Sequence, residues 1–210
     1  MIRIIIVDDH AIVRRGLRGI LADQPGLELV GEAGDYNELR QLLRETSADI
    51  MLLDVGLPGK SGIEILRSLA EDHERIKVLV LSIYPDDQYA LRALKAGAWG
   101  YLNKGSAPEE LLKAIDTIAR GKKYITPELA QALVENLSGA MTDRPHEKLS
   151  NREFQTLCMI ASGKRLADIA ETLALSPKTV SVYRARILEK MALSNNAELT
   201  HYALKNGLVE

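Results

Sequence analysis

Short apolar runs recur through the first hundred residues, and each stops at polar ones. Ile2-Arg3-Ile4-Ile5-Ile6-Val7 ends at Asp8-Asp9, and Met51-Leu52-Leu53 ends at Asp54. Ile76 to Leu81 ends at Ser82, and Trp99-Gly100-Tyr101-Leu102 ends at Asn103-Lys104. A fifth run, Leu27 to Ala33, alternates weakly. Runs that are apolar throughout, rather than alternating, mark strands covered on both faces, as in parallel sheets. Between the runs, apolar residues return at helical spacing. Ile12, Val13, Leu17, Ile20 and Leu21 predict one helix, and Leu39, Leu42 and Leu43 another. Ser61 is placed to cap a helix over Ile63–Leu69. Asp86 to Ala96 predicts a helix stopped at Gly97. Ser106-Ala107-Pro108-Glu109 opens the next with a cap, a first-turn proline and an acid, and it runs to about Arg120. Five strands alternating with five helices give an α/β fold, a five-stranded doubly wound parallel sheet.

The pattern then changes. A helix is expected over Glu128–Leu137, and 138–148 holds Gly, Pro and charged residues with little to pack. From Leu149 onward only helices are suggested: Ser150–Ser162, Leu166–Leu173, Pro177–Met191 and Asn196–Lys205. The chain therefore divides into residues 1–122, a linker with a helix over 123–147, and a small all-α domain over 148–210.

Composition narrows the setting. The 210 residues are 46% hydrophobic and 27% charged, which suits a soluble globular protein. No apolar run approaches the ~20 residues of a membrane span. The run in MIRIIIVDDH is too short for a signal peptide. One cysteine, Cys158, excludes an intramolecular disulfide framework and fits a reducing, cytoplasmic compartment. Residues 149–210 carry eight Lys/Arg against six Asp/Glu, whereas the rest carry 19 against 23. The mildly basic C-terminal part is compatible with nucleic acid without demanding it.

Candidate chemistry lies where the strands stop. In a parallel sheet all C-terminal ends share one edge, so Asp8-Asp9, Asp54, Ser82 and Lys104 converge. Three carboxylates close together call for a hard divalent cation, and Mg²⁺ takes oxygen ligands. A carboxylate also serves as a phosphoryl nucleophile. The transferred group then needs its oxygens neutralised by positioned charge, which Mg²⁺, Lys104 and the Ser82 hydroxyl would supply. Asp54 is thus the candidate phosphoryl acceptor. An aspartate-nucleophile phosphatase would use the same set, but it needs a second acid two residues after the nucleophile, and Gly56 stands there. His10, just past the first strand, reads as structural, and Trp99 as packing.

Asp8-Asp9, Asp54 with Leu57-Pro58-Gly59, Ser82, and Gly100-Tyr101-Leu102-Asn103-Lys104 resemble the receiver domain of bacterial two-component response regulators, over residues 1 to about 120. The resemblance implies a flavodoxin-like receiver whose Asp54 is phosphorylated by a sensor histidine kinase. It implies Mg²⁺ held by Asp9, Asp54 and the Gly56 carbonyl, with Asp8 acting through water. It also makes Ser82 and Tyr101 a switch pair and Lys104 a phosphoryl contact, with Gly56 and Tyr84 tuning phosphoryl lifetime. Ser82 stands where many relatives have Thr, and Asn103 is polar where apolar residues are commoner.

In the C-terminal part, Ser150-Asn151-Arg152-Glu153 has capping-box form. Phe154, Leu157, Cys158 and Ala161 share one helix face. Leu175-Ser176-Pro177 turns one helix into the next, a helix-turn-helix. Val180, Tyr183, Ile187 and Met191 form the second helix's inner face. Lys178, Ser181, Val182 and Ala185 point outward, flanked by Arg184 and Arg186, which suits a major groove. Leu149 to Glu153, Ile169-Ala170, Leu173, Leu175-Ser176, Thr179-Val180 and Lys190-Met191 resemble the LuxR-type helix-turn-helix. With a receiver, that is the NarL/FixJ group of transcriptional response regulators. The resemblance implies a regulator that binds promoter DNA as a homodimer, with the last helix available for dimer contacts. Val182 and Arg184 are then expected at bases, with Lys178, Thr179 and Arg186 on phosphates and Ser181 on the same surface.

Overall fold

The computed structural model describes residues 1–72, 75–82, 86–137 and 144–209; Tyr84 lies outside them. Contacts divide the chain into two compact units, Met1–Ala130 and Gln131–Glu210.

The first unit is an α/β sandwich. Its strands are β1 (Ile2–Val7), β2 (Leu27–Ala33), β3 (Ile50–Asp54), β4 (Lys77–Ser82) and β5 (Gly100–Asn103). They form one sheet in the order β2-β1-β3-β4-β5, and every pair is parallel. The intervening helices are α1 (Ala11–Ala22), α2 (Tyr36–Glu45), α3 (Gly62–Asp72), α4 (Asp86–Lys95) and α5 (Pro108–Ala119). Every residue of β3 is buried, which explains its unbroken apolar run. Alternate strand residues serve opposite faces. Ile4, Ile6, Ile50, Leu52, Leu79, Leu81 and Leu102 join Leu17 and Leu21 of α1 and Leu111, Ile115 and Ile118 of α5 in one core.

Strand order reverses between β1 and β3, the place where open sheets of this kind bind ligands. Two helix starts bear on that edge. Ser61 Oγ accepts from the Glu64 amide (3.3 Å), and Glu64 Oε2 accepts from the Ser61 amide (2.8 Å), so the predicted cap is present. Ser106 is not the cap of α5. Ala107 holds that position without a side-chain bond, and Pro108, which needs no amide partner, follows it.

The chain after α5 packs back on the first unit. Tyr124 is buried in the α1–α5 core, and its amide donates to the Trp99 carbonyl (2.8 Å). After α6 (Pro127–Leu137), a 3-10 turn at Pro145–Lys148 begins the C-terminal helices. His146 is fully buried there, its Nδ1 2.7 Å from the Tyr202 hydroxyl. The helices that follow are α7 (Asn151–Ala161), α8 (Leu166–Thr172), α9 (Pro177–Met191) and α10 (Asn196–Lys205). The capping box of α7 forms as predicted. Its burial is wider than one apolar face, because Arg152, Glu153, Gln155 and Thr156 are inside as well as Phe154, Leu157 and Cys158. Arg152 donates to Gln155 Oε1 (2.8 Å), and Lys190 of α9 pairs with Glu153 (2.7 Å).

Candidate functional site

Lys104, one residue past β5, lies between two buried acids. Its Nζ is 2.7 Å from Asp8 Oδ2 and 2.8 Å from Asp54 Oδ2. Strand register sets this meeting. Val7 pairs with Leu53, so the ends of β1 and β3 coincide, and Ser82 pairs with Asn103 at the ends of β4 and β5. Asp54 pairs with Leu81, which puts the buried Ser82 one residue beyond it on the adjacent strand. The Gly56 amide donates to the other acceptor oxygen, Asp54 Oδ1 (2.9 Å).

Burial raises the Asp54 carboxyl above its ordinary range; Lys104 pulls it back and Asp8 adds to the rise. Burial also works against charge on Lys104. The Asp54 and Asp8 carboxylates outweigh it and hold the ammonium above its usual value. Lys104 thus offsets part of the burial that favours the neutral acid.

One ligand-type atom each from Asp8, Asp9, His10 and Asp54 lies within 4.8 Å of the others. The oxygens fit a hard divalent cation, since two of the three acids are almost fully buried and need positive charge beyond one lysine. His10 lies at the same turn: Nδ1 is 2.8 Å from Asp9 Oδ1, and its amide donates to Asp8 Oδ1 (2.8 Å). Sequence reasoning also missed Arg14, whose Nη1 donates to the Asp8 carbonyl (2.6 Å) and so braces the acid turn. An arginine one turn into the first helix was the available signal.

Gly62 fixes the loop after Asp54. A Cβ there would lie 2.6 Å from the Asp54 carbonyl oxygen and 2.8 Å from Val55 Cα. A Cβ at Gly56 would lie 3.3 Å from Asp54 Oδ2, so any side chain there would start at the acceptor. Tyr101 is buried and pairs with Val80 on β4.

The second candidate surface is α9. Ser176 caps it, its Oγ accepting from the Thr179 amide (3.0 Å) and lying 2.8 Å from the Thr179 hydroxyl. Val180, Ile187 and Met191 are buried as expected, while Tyr183 is only half-buried. Lys178, Ser181, Val182, Ala185 and Arg186 are exposed on one helix. Arg184 is half-buried and donates from Nε to Asn196 Oδ1 of α10 (2.6 Å).

Comparison with known families settles membership. The response regulator receiver domain matches residues 4–116, and the luxR family of bacterial regulatory proteins matches residues 147–203. The chain is a response regulator of the NarL/FixJ family.

This response regulator is similar along its whole length to others of the group. It is 41% identical to response regulator GacA of Pseudomonas protegens, covering 100% of this chain and 99% of that one. It is 37% identical to response regulator UvrY of Escherichia coli, covering 99% of this chain and 96% of that one. Among solved structures it resembles RcsB of Salmonella enterica serovar Typhimurium bound to promoter rprA in the presence of phosphomimetic BeF3⁻. That match has 25% identity and a TM-score of 0.67, over 96% of this chain and 97% of that one. A LuxR-family response regulator from Aurantimonas sp. SI85-9A1 matches at 39% identity and a TM-score of 0.61, over 66% of this chain and 99% of that one. The regulator thus pairs a receiver with a DNA-binding, transcription-regulating domain. Its family is one of regulators rather than enzymes. No described helix is long and apolar enough to cross a membrane.

Proposed function

We propose that Asp54 accepts a phosphoryl group from a sensor histidine kinase and that this gain governs binding of promoter DNA by a homodimer. The observation that carries the reading is the Lys104 bridge between two buried acids at the switch point of the sheet. Residues 1–122 act as receiver, 123–147 as connection and 148–210 as output. Its acceptor oxygen attacks phosphorus as the bond to the kinase imidazole breaks. Asp9, Asp54 and the Gly56 carbonyl would hold Mg²⁺, with Asp8 through water; when bound, the ion would supply positive charge to the phosphoryl group. Lys104 then leaves its two-acid bridge to serve a second oxygen, and the Ser82 hydroxyl serves a third. Tyr101 follows Ser82 as the switch pair. Gly56 supports storage over turnover, because no acid at that place is available to activate water against the phosphoryl aspartate.

On DNA, α9 would enter the major groove. Val182 and Arg184 read bases; Lys178, Thr179 and Arg186 hold phosphates, with Ser181 at the same surface. The test is DNA affinity with and without a small phosphodonor plus Mg²⁺, on duplexes selected from a random pool. Wild type gains affinity, Asp54→Asn gains none, and Lys104→Ala gains less than wild type. A full gain by Asp54→Asn overturns the acceptor assignment.

A further inference from the structure

Asn103 is a polar residue at the end of a strand whose other three residues are buried. It is half-buried and pairs with Ser82 on β4. Its side chain turns forward along the chain, where the Gly105 amide donates to Asn103 Oδ1 (2.8 Å). The Ser106 amide donates to the Asn103 carbonyl (3.0 Å), and the Lys104 amide donates to the Ser82 carbonyl (2.8 Å). Lys104 is thus tied to the sheet through its own amide, and both amides that follow it are tied back to Asn103. A Cβ at Gly105 would lie 3.2 Å from Asn103 Oδ1, so the glycine gives that oxygen room to approach.

An asparagine that accepts from the amide two residues on closes an Asx turn, and the residue spanned by the turn loses backbone freedom. Here the spanned residue is Lys104. A lysine carries a compact charge on a flexible four-carbon stem, so the reach of Nζ is set first by where the main chain roots it. That root matters twice. It lets Nζ lie 2.7 Å from Asp8 Oδ2 and 2.8 Å from Asp54 Oδ2. It must also hold still when Nζ turns to a phosphoryl group, because a charge stabilises transfer only from a fixed position. Leucine at 103 has a similar branched shape and no acceptor. It would leave the Gly105 amide to water and the Ser106 bond alone to close the turn.

We infer that Asn103 is a positioning residue for Lys104, its Oδ1 fixing the main-chain root from which the ammonium serves the phosphoryl group. The inference rests on Asp54 being the acceptor. The experiment uses the full chain with acetyl phosphate and Mg²⁺, and follows loading of Asp54 by intact mass. In that step a carboxylate oxygen bonds to phosphorus as the bond to the acetyl oxygen breaks, and acetate leaves. A shift of about 1 Å in a group at the reacting atoms can cost as much as ~100-fold in rate. One bond in an exposed turn controls less than that, and Asn103→Leu is expected to load several-fold more slowly than wild type. Asn103→Ser, whose hydroxyl closes the same kind of turn more weakly, recovers part of the rate. In a Lys104→Ala chain, itself slow, Asn103→Leu slows loading no further. A general loss of fold would slow both backgrounds alike. Asn103→Leu loading as fast as wild type, no recovery with Asn103→Ser, or an equal slowing on both backgrounds overturns the inference and leaves Asp54 as the acceptor. Asp54→Asn loading as fast as wild type overturns the acceptor reading and the inference with it.

Discussion

Asp54 is a residue kept in an environment its charge dislikes. Burial raises its folded-state pKa, so the ionised form needed at neutral pH opposes folding. Asp54→Asn is therefore expected to raise the melting temperature of the receiver unit near pH 7 by about 3 °C, the shift that roughly 1 kcal/mol gives at this size. The sign reverses the usual carboxylate case. The gap between variant and wild type is full above the raised folded pKa and shrinks as pH falls through it, vanishing below the unfolded value. Thermal melts across acid pH check this; a variant less stable than wild type at pH 7 contradicts it. That Asp8, Asp54, Ser82 and Lys104 gather at one sheet edge was legible, since each stands at the polar end of an apolar run. Their pairing was not. Lys104 bridging Asp8 and Asp54 depends on the register of β1, β3 and β5, and a sequence carries no direct mark of register between parallel strands. The His10 contact was hidden for the same reason: its ring reaches Asp9 through a turn that residue types do not disclose.

Among the elements, the helices were the most legible, because capping and apolar spacing act locally. Pro177–Met191 and Asn196–Lys205 fall where the spacing predicts. Turn geometry was less so. Ala174, between α8 and α9, has φ of 51°, and Ala192, after α9, has φ of 53°. Both close their helices by Schellman-type bonds: Leu175 N–H to Ala170 O (2.8 Å) and Leu193 N–H to Leu188 O (2.9 Å). A Cβ in this region is strained, and alanine gives no sequence signal of a left-handed residue. Ala174→Gly should stabilise the C-terminal unit by up to about 1 kcal/mol, offset in part by added freedom of the unfolded chain. Denaturant midpoints measure it. Gly62→Ala should do the opposite at the start of α3, costing about 1–3 kcal/mol as the Cβ meets backbone of Asp54 and Val55. An unchanged midpoint would mean that the loop gives way.

Taken as a whole molecule, the chain places acids of opposite habit in its two units. Glu153 is nearly inaccessible, and burial works against its charge; the Lys190 ammonium and the Ser150 amide outweigh this and hold its pKa below the usual range. Its charge stabilises the C-terminal helices where Asp54's opposes the receiver. Glu153→Gln is expected to lower the C-terminal unit's melting temperature at pH 7. The deficit is present above the ordinary carboxylate range and disappears as pH falls through the depressed folded value. Unit-resolved melts at several pH values follow it, and a deficit that persists below that range excludes the charge as its cause. The division into an α/β body and a helical body was legible from the change in apolar period. The width of burial around α7 was not, because Arg152, Gln155 and Thr156 carry no apolar signal.

The loop after the acceptor has a consequence of another kind. Gly62 donates its amide to the Val55 carbonyl (3.3 Å), and Leu57 is fully buried, so the segment between them leaves and returns at almost one point. The stretch inside it is also held from outside, because the Lys60 ammonium donates to the Tyr36 hydroxyl (3.1 Å) and to Ser68 Oγ (2.6 Å) and lies over the Tyr36 ring. A change of length there would give up those contacts as well as altering loop entropy. The rim that a partner meets is thus fastened to α2 and α3 as well as to the strand that carries the nucleophile.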